Sequence, residues 1–215
     1  MVSAASFPRT ADGEQLYCDS DNHPELYWAA RGSGPGFFAV VTAFHLKLYP
    51  RPGVTGSSLY IYPIEYADEI FSWARSISAE VDRRVELQIV TSRAVPGAGL
   101  STPGIVMASP VFADDEAQAA AALDLLGTCP SRDRAIVAVP FAPLDLAGWY
   151  DAVMTNYPSA HRYATDNMWT SASAEDLLPG IRRIAETLPP APSPAWARPR
   201  SACRFRPCLT RCPRA

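Results

Sequence analysis

The chain has 215 residues, of which 48% are hydrophobic, and a formal net charge of −3 at pH 7. It is too apolar for a chain that stays unfolded by composition, and no run reaches the roughly 18 apolar residues of a transmembrane helix. Residues 189–215 hold six arginines and no acid, which leaves 13 basic and 22 acidic residues before them, a body whose acidity argues against nucleic acid as a partner.

Taken in order, residues 1–8 are too few and lack the charged lead of a signal peptide, and they read as a strand. Thr10-Ala11-Asp12-Gly13-Glu14 predicts a hairpin turn around Asp-Gly, with Gln15-Leu16-Tyr17-Cys18 as the returning strand. From Glu25 an amphipathic helical start places Leu26, Ala29 and Ala30 on one face. Arg31-Gly32-Ser33-Gly34-Pro35-Gly36 then interrupts regular structure, and its glycines allow positive φ and close approach of a ligand to the backbone. Residues 37–49 are aromatic and β-branched and alternate in polarity after Thr42, which predicts a strand leaving a buried sheet, closed by Pro50. The order helix, glycines, strand is the reverse of a dinucleotide fingerprint. By itself the turn reads first as a connector joining a helix to a strand.

The middle of the chain alternates strands and helices. Strands are predicted at residues 57–64, 84–93, 104–113 and 134–141 from their alternation and β-branched content. A helix is predicted at 65–81 with Ile70, Ala74, Ile77 and Val81 on one face. Another covers 117–126, with Asp114, Asp115 and Glu116 at its positive N-terminal end and Gly127 as its stop. Pro143 is read as opening a helix that carries Leu146, Tyr150, Val153 and Met154. Residues 161–170 are a strand candidate. Ser173 caps a last helix with Leu177, Ile181, Ile184 and Leu188 aligned, which Pro179-Gly180 is expected to break or restart. Strands and helices in this order predict an α+β layer, a sheet covered on one face by helices.

From Pro189 onward there are seven prolines, three of the five cysteines and no apolar periodicity. This segment is expected to be unstructured, and its Pro, Arg and Cys content fits a reading frame shifted in a GC-rich gene; an arm for nucleic acid or membrane is the other reading. Cys203, Cys208 and Cys212 match no zinc spacing and have no histidine near them, so no metal is expected. Cys18 and Cys129 read as buried small apolar groups, which leaves the redox compartment and the localisation open.

One stretch goes further. Thr10-Ala11-Asp12-Gly13, then His23-Pro24-Glu25-Leu26-Tyr27-Trp28-Ala29-Ala30-Arg31-Gly32, then Phe38-Ala39-Val40-Val41-Thr42 and Pro50, resembles the end of the FAD-binding (PCMH-type) domain of FAD-linked oxidoreductases of the berberine-bridge and vanillyl-alcohol-oxidase type. Ala39 stands where that family usually has glycine. The resemblance covers about residues 1–192, with weaker motifs after Pro50. It implies an α+β fold in which residues 1–53 are the end of the FAD-binding domain and residues 54–188 are a substrate domain, a mostly antiparallel sheet roofed by helices and lying over the flavin.

The resemblance also implies a function: hydride transfer from a C–H or alcohol carbon of a small-molecule substrate to flavin, with oxygen as the oxidant. Gly34, Gly36, Phe38, Val40 and Val41 match the segment that runs beside FAD, although Phe38, Val40 and Val41 also suit plain core. Arg31 suits either a phosphate or the end of the preceding helix. Tyr163, Asn167 and Trp169 suit substrate contacts or an ordinary sheet face. The histidine and cysteine that bind the flavin covalently in the family lie in a half-domain that would precede Met1, and none of His23, His45 and His161 sits in a matching motif. No catalytic acid, base or nucleophile stands out. This polypeptide alone is therefore expected to be inactive. The alternative is a non-catalytic α+β domain that binds a partner or small molecule.

Overall fold

The computed structural model describes residues 4–46, 48, 50–155, 157, 159, 170–189 and 194–197. The chain divides into two compact units, Met1–Arg51 and Pro52–Ala215.

In the first unit, β1 (Ala4–Arg9) pairs antiparallel with β2 (Val40–Leu46), from Ala4 opposite Leu46 to Arg9 opposite Val40. The register shifts between Ser6 and Pro8, where proline has no N–H to give the ladder. The turn at Asp12-Gly13 forms: Gly13 sits at φ 80, its N–H donates to Thr10 O at 3.0 Å, and Thr10 N–H donates to Glu14 O at 3.0 Å. The returning strand expected at Gln15-Leu16-Tyr17-Cys18 does not form as such, because β1 takes its partner from beyond the glycine turn. Asp19 explains part of this. Its carboxylate accepts from Asp21 N–H at 2.8 Å and Asn22 N–H at 2.7 Å, a local turn that redirects the chain into α1 (Pro24–Ala30). Those bonds hold the Asp19 carboxyl below its ordinary range.

In the second unit, β3 (Val54–Pro63), β4 (Gln88–Ser92), β5 (Gly104–Ala113), β6 (Val137–Pro143) and a short β7 (Ala195–Ala197) make one antiparallel sheet in the order β6-β3-β5-β4-β7. α2 (Ala67–Ile77) and α3 (Glu116–Leu123) cover one face. Tyr60, Tyr62, Ile89, Ile105, Met107 and Val111 of the sheet form the core with Ile70, Phe71, Trp73, Ala74 and Ile77 of α2 and Ala119, Ala122 and Leu123 of α3. α5 (Ala174–Thr187) packs on α2 through Leu178 and Ile181. Trp73 Nε1 donates to Thr128 Oγ1 at 3.1 Å, and Ser131 Oγ donates to Glu69 Oε2 at 2.6 Å. These two bonds tie α2 to the loop after α3.

Several predicted boundaries move. The strand at 84–93 shortens to β4, with Val85 making one isolated bridge to Val111. α3 ends at Leu123 and passes into a 3₁₀ turn, Asp124–Thr128, so Gly127 lies inside that turn and does not stop an α-helix. Pro143 closes β6 on the edge of the sheet, opposite Gly56, where no ladder donor is needed. The following helix, α4 (Leu146–Met154), is started by Asp145, whose carboxylate accepts from Gly148 N–H at 2.7 Å. α5 runs unbroken through Pro179. Its cap is the predicted one, Ser173 Oγ accepting from Asp176 N–H at 3.1 Å.

The expectation that everything after Pro189 is unstructured is corrected at Ala195–Ala197, which pairs with Ile89 to Thr91 of β4. Backbone hydrogen bonds along an open sheet edge need no apolar periodicity. Residues 198–215 lie outside the described residues. So do residues 161–169, and with them most of the strand expected at 161–170.

Candidate functional site

In the first unit the glycine turn is shaped by the end of α1. Arg31 N–H donates to Trp28 O at 3.2 Å, and Gly32 and Ser33 N–H both reach Ala29 O, at 3.1 and 2.9 Å. A 3₁₀ turn, Gly34–Gly36, follows, closed by Gly36 N–H to Ser33 O at 3.2 Å and Phe37 N–H to Gly34 O at 3.1 Å. Gly34 has φ 54, a conformation glycine adopts without strain. A Cβ built on Gly32, Gly34 or Gly36 would meet nothing within 4 Å, so the backbone lies open on that side.

The same bonds limit what the turn offers. The N–H groups of Arg31, Gly32, Ser33, Gly36 and Phe37 are donated inside it, and Pro35 has none. Gly34 is the residue of this stretch whose N–H is left over. The backbone there offers a ligand chiefly carbonyls and Cα hydrogens, with that single backbone donor. Arg31 caps α1 through its backbone, and its exposed guanidinium stands 4.9 Å above the Tyr27 ring, a cation–π contact.

Phe38 and Val40 are each 67% exposed and Val41 is half-buried, which corrects the reading of Phe38 and Val40 as core. Val40, Thr42, Phe44 and Leu46 share one face of β2 and are exposed; on the other face Val41 is half-buried while Ala43 and His45 are exposed too. The strand was expected to leave a buried sheet; it lies instead in a two-stranded ribbon. His23 is exposed at φ 48, and His45 meets Tyr17 edge-on at 6.3 Å between ring centroids. His161 lies outside the described residues.

In the second unit, register fixes two faces of the sheet. Residues directly opposite in an antiparallel ladder point the same way. Tyr60 opposite Met107 and Tyr62 opposite Ile105 therefore face the helices with the core. Ser57, Leu59 and Ile61 of β3, Val106 and Ala108 of β5, Gln88 and Val90 of β4, and Val137 and Val139 of β6 lie on the second face. Leu59, Val106, Ala108, Val137 and Val139 are half-buried there, and Phe112 is 43% exposed. The Ser57 hydroxyl donates to Ser58 O at 2.8 Å, and the Thr55 hydroxyl donates to Leu144 O. Sequence reading singled out none of these residues, because alternation marks two faces without saying which one the helices cover.

The expected substrate residues Tyr163, Asn167 and Trp169 lie outside the described residues. Cys18 and Cys129 are buried, as expected, and burial raises both thiols. Burial likewise raises the Tyr62 hydroxyl. Among the described residues there is no cluster of three or more His, Cys, Asp or Glu able to hold a metal, and no helix is long and apolar enough to cross a membrane.

No family model matches the chain. The FAD-linked oxidoreductase nodO of Hypoxylon pulicicidum is 30% identical over 177 residues, 82% of this chain and 37% of that protein. The FAD-linked oxidoreductase ptmO of Penicillium ochrochloron is 29% identical over 180 residues, 84% of this chain and 39% of that protein. Among solved structures, 6-hydroxy-D-nicotine oxidase from Arthrobacter nicotinovorans aligns with a TM-score of 0.50 and 20% identity, over 73% of this chain and 33% of that one, a likeness of fold. The chain thus spans less than two fifths of the length of these curated relatives. Within that span it is a homologue of the FAD-linked oxidoreductases of the berberine-bridge and vanillyl-alcohol-oxidase type.

Proposed function

We propose that the chain forms part of an FAD-linked oxidoreductase, in which the first unit, as the end of a PCMH-type domain, supplies one wall of the dinucleotide site and the sheet of the second unit supplies the substrate side. The observation that carries this reading is the match to nodO along 82% of the chain. A bound flavin would supply the hydride acceptor for oxidation of a C–H or alcohol carbon, with oxygen as the terminal oxidant.

The residues present fit one wall of such a site. Gly34 and Gly36 would let a ligand approach the backbone, and the Gly34 N–H would be available to donate to it. Phe38, Val40 and Val41 offer apolar contact. The exposed Arg31 guanidinium is free of carboxylates among the described residues and suits a pyrophosphate oxygen. On the substrate side the second sheet face excludes water and holds a small-molecule substrate, with Tyr163, Asn167 and Trp169 as additional proposed contacts. Among the described residues of that face there is no general base.

The test is the visible spectrum after denaturation and washing. The chain purified alone is expected to retain no flavin and to show no oxidase activity. A chimera joining it to the remaining length of nodO is expected to bind FAD and turn yellow. Flavin retained by the chain alone would overturn the one-wall reading; a colourless chimera would favour a non-catalytic binding domain.

A further inference from the structure

The two sides of the sheet in the second unit end differently. On one side stands β6, where Pro140 and Pro143 have no N–H to offer and the register against β3 shifts between Ser57 and Leu59. Prolines and irregular register keep a sheet edge from taking another strand. On the other side the last long strand is β4. Its residues Gln88-Ile89-Val90-Thr91-Ser92 include no proline, glycine or charge. Its ladder with β5 runs unshifted through five successive pairs, from Gln88 opposite Ala108 to Ser92 opposite Gly104. An edge of that kind accepts any extended chain that reaches it.

β7 lies on this edge. Among the described residues three pairs hold it, Ile89 opposite Ala197, Val90 opposite Trp196 and Thr91 opposite Ala195. Arg93 Nη1 donates to Leu188 O at 3.4 Å, which sets the end of α5 beside the end of β4, and residues 189–194 lead from there to β7. A strand held by so few pairs opens locally far more often than the domain unfolds. β4 is also complementary to itself. Turned antiparallel about Val90, it sets Val90 against Val90, Ile89 against Thr91 and Gln88 against Ser92. No such pair brings like charges together, and β-branched residues directly opposite each other attract. A two-fold contact of this kind closes on itself as a dimer.

We propose that β7 is a detachable strap over the β4 edge, and that the partner it holds off is a second copy of this chain, which pairs there β4 to β4 when the strap is off. The proposal does not depend on the flavin reading.

The experiment uses the full chain carrying Phe44→Lys/Leu46→Lys, which charges the exposed face of β2 and sets that route of association aside. Ala195→Pro/Trp196→Pro/Ala197→Pro added to this parent withdraws every N–H of β7. The mass by light scattering is expected to double relative to the parent. The amides of residues 88–92 are expected to exchange hydrogen faster than in the parent in dilute solution, and to regain protection as the concentration rises. A mass that stays at the parent's value overturns the proposal, and so does β4 exchange that the prolines leave unchanged. Growth past a dimer into open-ended aggregates overturns it too, because β4-to-β4 pairing closes. Should the triple variant fail to fold, Trp196→Pro alone is read in the same way. Loss of the folded second unit in that single variant also overturns the proposal, since a strap leaves without unfolding the sheet beneath it.

Discussion

Ser58 of β3 and Ser109 of β5 stand directly opposite each other in register, both fully buried, and neither hydroxyl has a hydrogen-bond partner. They face the same side as Gly56 and Val111, toward the helices. A buried hydroxyl without a partner keeps its full desolvation cost, and replacing both members of such a pair by apolar groups of similar shape is neutral or stabilising. The double variant Ser58→Ala/Ser109→Ala should therefore unfold at equal or higher urea concentration, with a gain of up to about 1 kcal/mol. A loss of stability would show that the two hydroxyls satisfy each other in solution.

Gly53 precedes β3 where the chain passes the backbone of Asp114. A Cβ at position 53 would lie 2.0 Å from Asp114 O and 2.9 Å from its carbonyl carbon. Backbone cannot rotate aside as a side chain can. Gly53→Ala should cost roughly 2–3 kcal/mol by overpacking, read as a lower unfolding midpoint. Gly97→Ala, where nothing lies within 4 Å, is the control and should change little.

α5 is held on α2 by both charge and burial, in unequal measure. Arg182 Nη2 and Nε reach Asp68 Oδ1 at 2.6 and 3.1 Å, but the two side chains are 37% and 61% exposed. Such a pair contributes about 0.5 kcal/mol and fades with salt. Leu178 is 8% exposed within the core, and its truncation should cost about 2–3 kcal/mol. Arg182→Ala should thus be mild and salt-dependent, Leu178→Ala severe and salt-independent, in denaturant titrations at low and high salt.

Asp82 supplies a pH dependence. Hydrogen bonds from the Arg84 side chain, at 2.7 and 3.0 Å, and from its backbone N–H hold the carboxyl at about 2, below its ordinary 3.8. A carboxyl depressed in the folded state stabilises above its unfolded value and loses that contribution as pH falls through the folded one. With Arg84 43% exposed, solvent screening limits the effect to about 1 kcal/mol. Asp82→Asn should be less stable than the parent at pH 6, and the difference should close between pH 4 and pH 2.

The exposed face of β2 should make the purified chain associate. Phe44 is 60% and Leu46 59% exposed, on a ribbon of two strands, and apolar strands with open edges pair with other chains. Phe44→Lys/Leu46→Lys should lower the mass seen by light scattering. A monodisperse parent chain that unfolds cooperatively would contradict this.

Local chemistry in the sequence determined the elements that depend on neighbours in the chain. β5 occupies the predicted residues 104–113, Ser173 caps α5, and Asp12-Gly13 turns the chain, because alternation, side-chain capping and positive φ are short-range effects. The resemblance carried by residues 10–50 likewise led to the homologues, since it needs only residue order. Partners distant in sequence were decided by the tertiary structure. β1 passes over the adjacent Gln15-Leu16-Tyr17-Cys18 to pair with β2, and Ala195–Ala197 joins β4 despite its proline-rich surroundings. α5 crosses Pro179 because Leu178 and Ala185 are buried on either side of it, and that packing outweighs one missing hydrogen bond and a crowded turn. The uncharged second face of the sheet became visible only once register and the placement of α2 and α3 showed which alternate residues those helices do not cover.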